Sequence, residues 1–133
     1  MGLARAAELN SYPGPRHVLD AIAAGKLAAS REQLERIQRV FDGMNRDAVR
    51  LGTRILDEEQ QLEAEFRAAT MTESALHSRV ARIAVLQGEL RTIHLAAHLM
   101  TRAILSESQI TRYNEVRGYR GSPGTHENQQ HKH

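Results

Sequence analysis

The stretch Ser30–Leu62, "SREQLERIQRVFDGMNRDAVRLGTRILDEEQQL", decides the fold. Its apolar residues Leu34, Ile37, Phe41, Met44, Ala48, Leu51, Ile55 and Leu62 are separated by steps that alternate three and four. Such steps keep one face of a helix continuously apolar, the pattern of a coiled-coil seam. The skipped step falls on Glu58, a carboxylate where the seam expects an apolar side chain. No proline occurs between Arg16 and Pro123, so one helix of about 40 residues and about 58 Å is predicted. Its start is marked by a capping box: Ser30 caps, and Gln33 reaches back from three residues later.

Beyond this helix, "RAATMTES" (Arg67–Ser74) offers a turn, with Thr72 or Ser74 as the next cap. A second long helix follows, with Leu76, Val80, Ile83, Leu86, Leu90, Ile93, Ala97, Met100 and Ile104 along one side. "SESQ" (Ser106–Gln109) repeats the capping box and opens a short final helix ending near Gly118. On the other flank, "SYPGPR" (Ser11–Arg16) is a break, because two prolines around a glycine cannot continue a helix. "HVLDAIAAGK" (His17–Lys26) reads as a short helix ending near Gly25. The chain is therefore expected to be all-α, a long antiparallel helical hairpin with short N- and C-terminal helices. Residues 1–16 are expected to be an extended segment, 17–119 a single hairpin domain, and 120–133 a polar, disordered, histidine-containing tail.

A two-helix hairpin cannot cover both of its faces. At about 100° per residue, Val85, Leu95 and Leu99 lie away from the seam of the second helix. With Val49 and Leu56 of the first helix they form a second apolar surface. It must meet the terminal helices, a second copy of the chain in a homodimer, or a client protein.

Composition narrows the function. Aromatic residues are only 4% of the chain, so its core must be made of aliphatic side chains. The formal charge is +2, with acids and bases interleaved, which leaves no basic stripe for nucleic acid. There is no cysteine for a disulfide, a thiolate metal site or a thiol nucleophile. No apolar run approaches the ~20 residues that span a bilayer. Neither a glycine-rich phosphate loop nor a nucleophile elbow is present. "HLAAH" (His94–His98) has the histidine spacing of a zincin helix, but Leu95 stands where the catalytic glutamate would be. An enzyme is not expected.

His94 and His98 nonetheless project from one side of a helix, close enough together to share a zinc, nickel or copper ion. A hairpin turning near Thr70 puts Asp42, Met44 and Asp47 level with them as further ligands. The alternative is that both histidines border the seam, packing their rings against it and showing their nitrogens to water. Tail residues His126, His131 and His133 could capture the same metals weakly. Glu58 is expected to reach water or pair with Arg82, while His17 and His77 read as surface residues.

The paired boxes also carry a resemblance. "ASREQ" (Ala29–Gln33) and "LSESQ" (Leu105–Gln109) are similar to the paired LTxxQ motifs of the periplasmic Spy/CpxP family, which includes ZraP- and CnrX-type metal-responsive proteins. Serine replaces threonine in both copies, and Ala29 replaces the first leucine. As in that family, the two copies flank a long helical hairpin, some 76 residues apart; the resemblance covers residues 1–119. It implies a curved homodimer that holds unfolded proteins without ATP, or binds and senses transition metals, with no catalysis. It also implies a periplasmic location, an export signal ahead of "MGLA", and a regulatory membrane protein as a further partner.

Overall fold

The computed structural model describes residues 3–118. Among them there are five helices and no strand: α1 (Arg5–Glu8), α2 (Pro15–Ala23), α3 (Arg31–Arg67), α4 (Glu73–Ile104) and α5 (Glu107–Val116). The long helices α3 and α4 pack against each other as a hairpin, as the alternating three-four spacing predicts. No helix among the described residues is long and apolar enough to cross a membrane.

Each helix stops where backbone chemistry allows it. After α2, Gly25 takes a left-handed conformation (φ +75°), and the N–H of Lys26 closes back on the Ala21 carbonyl at 2.9 Å. After α5, Gly118 does the same with φ +84°. The turn between α3 and α4 lacks this help. Ala69 adopts φ +58° there, while the Thr70 N–H reaches the Glu65 carbonyl at 3.0 Å and the Ala69 N–H reaches Phe66 at 3.1 Å. This is a Schellman closure built on a residue whose Cβ opposes it. Thr72 then caps α4, its Oγ1 accepting from the Ala75 N–H at 3.1 Å.

Contacts divide the chain into two units. In the unit Met44–His94 the bare hairpin buries Leu51, Ile83 and Leu86. On α4 the seam differs from expectation: Val80 is half exposed, and Arg79 takes its place. The Arg79 guanidinium forks onto Glu65 at 3.0 and 3.1 Å and reaches Glu58 at 2.9 Å and Gln61 at 3.0 Å. Arg82 meets the other Glu58 oxygen at 3.4 Å, as its level predicts. The Arg79 and Glu58 side chains are only 15% and 17% exposed, so this ion pair occupies the seam itself. The irregular step at Glu58 is therefore answered by a cation opposite it. A rigid fork with three partners also ties the register of the hairpin, because sliding one turn would strand all of them.

The other unit comprises residues up to Gly43 and from Leu95 onward. Val18, Ala21, Leu27, Ile37, Leu105, Ile110 and Tyr113 form its core, with α2 and α5 contributing alongside the hairpin. Met100, expected in the α4 seam, is half exposed, while Thr101 is fully buried. Burial is possible because the Thr101 hydroxyl donates to the Ala97 carbonyl one turn back, at 2.7 Å. The N-terminal segment also departs from the extended form. Arg5–Glu8 make one helical turn, closed by Ser11 at φ +67°, and Pro13, Gly14 and Pro15 are buried. The apolar residues Val18 and Ala21 need a covering layer, and α2 starts earlier than expected, at Pro15, whose fixed φ suits a first helical position.

Replacing Ala69 by glycine removes the left-handed penalty without disturbing the Schellman bonds. Ala69→Gly should raise the unfolding free energy by about 1 kcal/mol in a urea titration.

Candidate functional site

The two capping boxes are joined into one hydrogen-bonded unit. In the first, the Ser30 Oγ accepts from the Gln33 N–H at 3.1 Å, and the Gln33 Oε1 accepts from the Ser30 N–H at 2.9 Å. In the second, the Ser106 Oγ accepts from the Gln109 N–H at 3.2 Å, and the Gln109 Oε1 accepts from the Ser106 N–H at 2.8 Å. The two amides then pair with each other. Gln33 Nε2 donates to Gln109 Oε1 at 2.9 Å, and Gln109 Nε2 donates to Gln33 Oε1 at 3.0 Å. Their remaining protons go to the carbonyls of Ile104 at 3.0 Å and Ala28 at 2.9 Å. Every donor and acceptor of both amides is thereby used. The Ile104 carbonyl ends α4, so one clasp satisfies two helix starts and one helix end. Leu105, between the last residue of α4 and the Ser106 cap, is buried in the core beside it.

A glutamate at either position could complete its own box but could not donate. Glutamine is required by the cross-pairing, which no single box discloses. The sequence marks both boxes; their union needs the fold.

His98 lies less than two turns before the end of α4 and is not at the solvated seam edge where its spacing placed it. It is 5% exposed. Its Nδ1 donates to the Tyr12 carbonyl at 2.7 Å. A Cβ on Gly14 would stand 2.8 Å from both Cε1 and Nε2 of that ring, so the glycine is there to let the backbone close over it. The Arg102 guanidinium lies 4.6 Å from the Tyr12 ring centre and hydrogen-bonds the Ser11 carbonyl. Asn114 Nδ2 donates to Ser11 Oγ at 3.2 Å, while its buried Oδ1 has no partner among the described residues. Residues 11–14 thus form a strap held by His98, Arg102 and Asn114, whose polar groups engage the backbone released by the "SYPGP" break. None of these partnerships is visible in local sequence.

Among the described residues, no three His, Asp or Glu side chains gather as a metal site. His94 is half-buried one turn before His98. Asp42 accepts from the Gln38 amide at 3.0 Å, Asp47 lies 3.7 Å from Arg46, and Met44 is half-buried. The tail residues His126, His131 and His133 lie outside the described residues. His17 is half-buried rather than a surface residue, and burial, with the Arg117 charge, pushes its pKa down. His77 is exposed, as expected.

The residues expected on a second apolar surface differ in exposure. Val49 and Val85 are each 62% exposed, Leu56 57% and Leu99 59%, whereas Leu95 is half-buried. Phe66 and Val80 join the exposed set in the Met44–His94 unit. Phe66 was not anticipated, because it stands one step past the last regular seam position.

Four substitutions probe these sites. Gln33→Glu keeps the shape but removes the donor, leaving the Ile104 carbonyl unmet and setting an anion against Gln109 Oε1. It should cost about 2 kcal/mol in denaturant unfolding at neutral pH, more than the ~1 kcal/mol expected for loss of the Ser30 cap in Ser30→Ala. Gly14→Ala should cost about 1–3 kcal/mol through overpacking, and His98→Ala in that background should recover part of the loss in a double-mutant cycle. No family model, characterised protein or solved structure matches the chain, so a functional reading has to come from these residues.

Proposed function

We propose that the protein is a non-catalytic, ATP-independent binder of partly unfolded polypeptides, acting in envelope stress defence in the periplasm as a homodimer. The observation that carries this reading is the surface of the Met44–His94 unit. There Val49, Leu56, Phe66, Val80 and Val85 stay 49–62% exposed on a two-helix scaffold with few other layers to cover them. Single exposed apolar side chains are ordinary on protein surfaces. Five on one hairpin of about 50 residues, interspersed with arginine and glutamate, supply many small and adaptable contacts. Each half-exposed side chain has roughly 1 kcal/mol of burial left to gain. A client is therefore held by several weak contacts and leaves without an energy source. The resemblance of the two SxxQ boxes to LTxxQ motifs supports the same reading, as well as the periplasmic location and the homodimer.

The test is suppression of aggregation of a heat-unfolded model protein, without nucleotide. Near-stoichiometric protein should at least halve the light scattering. Val49→Gln, Leu56→Gln and Val85→Gln together should remove most of that effect while leaving the helical circular-dichroism signal intact. Failure of the wild type to suppress aggregation, or full activity in the triple variant, would refute the proposal. Static light scattering of the protein alone should give twice the monomer mass.

A further inference from the structure

Within the Met44–His94 unit an open groove of about 560 Å³ runs between α3 and α4. Its apolar floor includes Leu51, 2% exposed, and the half-buried Ile93. Arg50 and Arg54 stand on the α3 side, one turn apart. Gly88, Glu89 and Thr92 form the α4 side. A Cβ on Gly88 would meet nothing within 4 Å, so this wall is kept low by the absence of a side chain rather than by tight packing. The Thr92 hydroxyl donates to the Gly88 carbonyl at 2.9 Å and so turns its lone pairs outward.

Charge makes this groove selective. Arg50 and Arg54 make no hydrogen bond or ion pair with any described residue, although Glu89 lines the opposite wall. Arg79 and Arg82 are committed to Glu58, Arg67 to Glu63 and Arg46 to Asp47, while Arg91, outside the groove, also makes no hydrogen bond or ion pair with any described residue. Two like charges at i and i+4 repel each other. A carboxylate bridging their guanidiniums would turn that repulsion into charge-assisted hydrogen bonds. The volume falls in the range of ligand sites, but the groove is open, whereas small-molecule sites bury most of their ligand. An extended chain that passes through suits it better.

We infer that this groove takes a segment of unfolded polypeptide in which an Asp or Glu adjoins a large aliphatic residue. The carboxylate sits on Arg50 and Arg54, the aliphatic side chain covers Leu51 and Ile93, and Glu89 accepts from a backbone N–H or lysine of the client. This deepens the chaperone reading and rests on it, since it names the clients that are held best.

The experiment uses the full chain and fluorescein-labelled nonapeptides in anisotropy titrations. One peptide carries Asp-Leu at its centre, a second Asn-Leu, and a third Asp-Ser. The Asp-Leu peptide should bind about tenfold more tightly than either of the others. In R50Q/R54Q, Asp-Leu and Asn-Leu should bind equally, while R91Q, a charge loss outside the groove, should keep the preference. Glutamine is a good helix former, so R50Q/R54Q should keep the wild-type helical circular-dichroism signal. The inference is overturned if the wild type shows no preference for aspartate, or if R50Q/R54Q retains it. Aggregation suppression by a wild type without that preference would overturn the groove assignment alone. Loss of both would overturn the chaperone reading as well.

Discussion

A helix in a two-helix pair can bury one stripe of its surface, and the remaining faces must be covered by something else. That constraint organises the whole chain. Where α2, α5 and the strap at residues 11–14 fold over the hairpin, the stripe widens into a core that includes Val18, Ile37 and Tyr113. Where nothing further is added, burial among the apolar residues narrows to positions such as Leu51, Ile83 and Leu86, and their neighbours remain in water. With aromatics at 4% of the sequence, the narrow seam is made of aliphatic residues. Exposed apolar side chains are the physical consequence of a seam that only two helices cover.

Polar groups inside the structure follow one rule: they are admitted where hydrogen-bond partners replace the water they leave. The Gln33–Gln109 pair meets it completely, with four contacts to each amide. The Arg79 network meets it with two carboxylates and an amide placed around one rigid fork. In both places the polar group specifies geometry that aliphatic packing leaves loose, namely which helix ends meet and which residues face each other across the hairpin. Asn114 is the exception, with a buried oxygen that finds no partner among the described residues.

His98 shows why spacing alone misjudges a histidine. Two imidazoles four residues apart on a helix can serve a metal or a packed seam, and the periodicity is the same for both. The decision comes from a segment about 86 residues away, whose Tyr12 carbonyl accepts a hydrogen bond from Nδ1 and whose Gly14 covers the ring. A turn-rich stretch reads locally as a break; in three dimensions it is a lid over the end of α4.

The three-four spacing by itself determined the hairpin, because helical periodicity is a property of neighbouring residues. Helix ends were legible for the same reason: Ser30, Thr72, Ser106, Gly25 and Gly118 act within a turn of their own position. The pairing of Glu58 with Arg82 was legible too, since a hairpin of known turn fixes which levels meet. What the tertiary structure alone decided is which of two adjacent residues enters the seam. Arg79 rather than Val80, and Thr101 rather than Met100, turn inward because a partner awaits them, a carboxylate in one case and a backbone carbonyl in the other. The joining of the two boxes through their amides was likewise a tertiary decision. Hydropathy ranks residues by their cost of leaving water, and that cost falls when a partner replaces the water; Thr101 finds its partner one turn back, but those of Arg79 lie across the hairpin, which local sequence does not record.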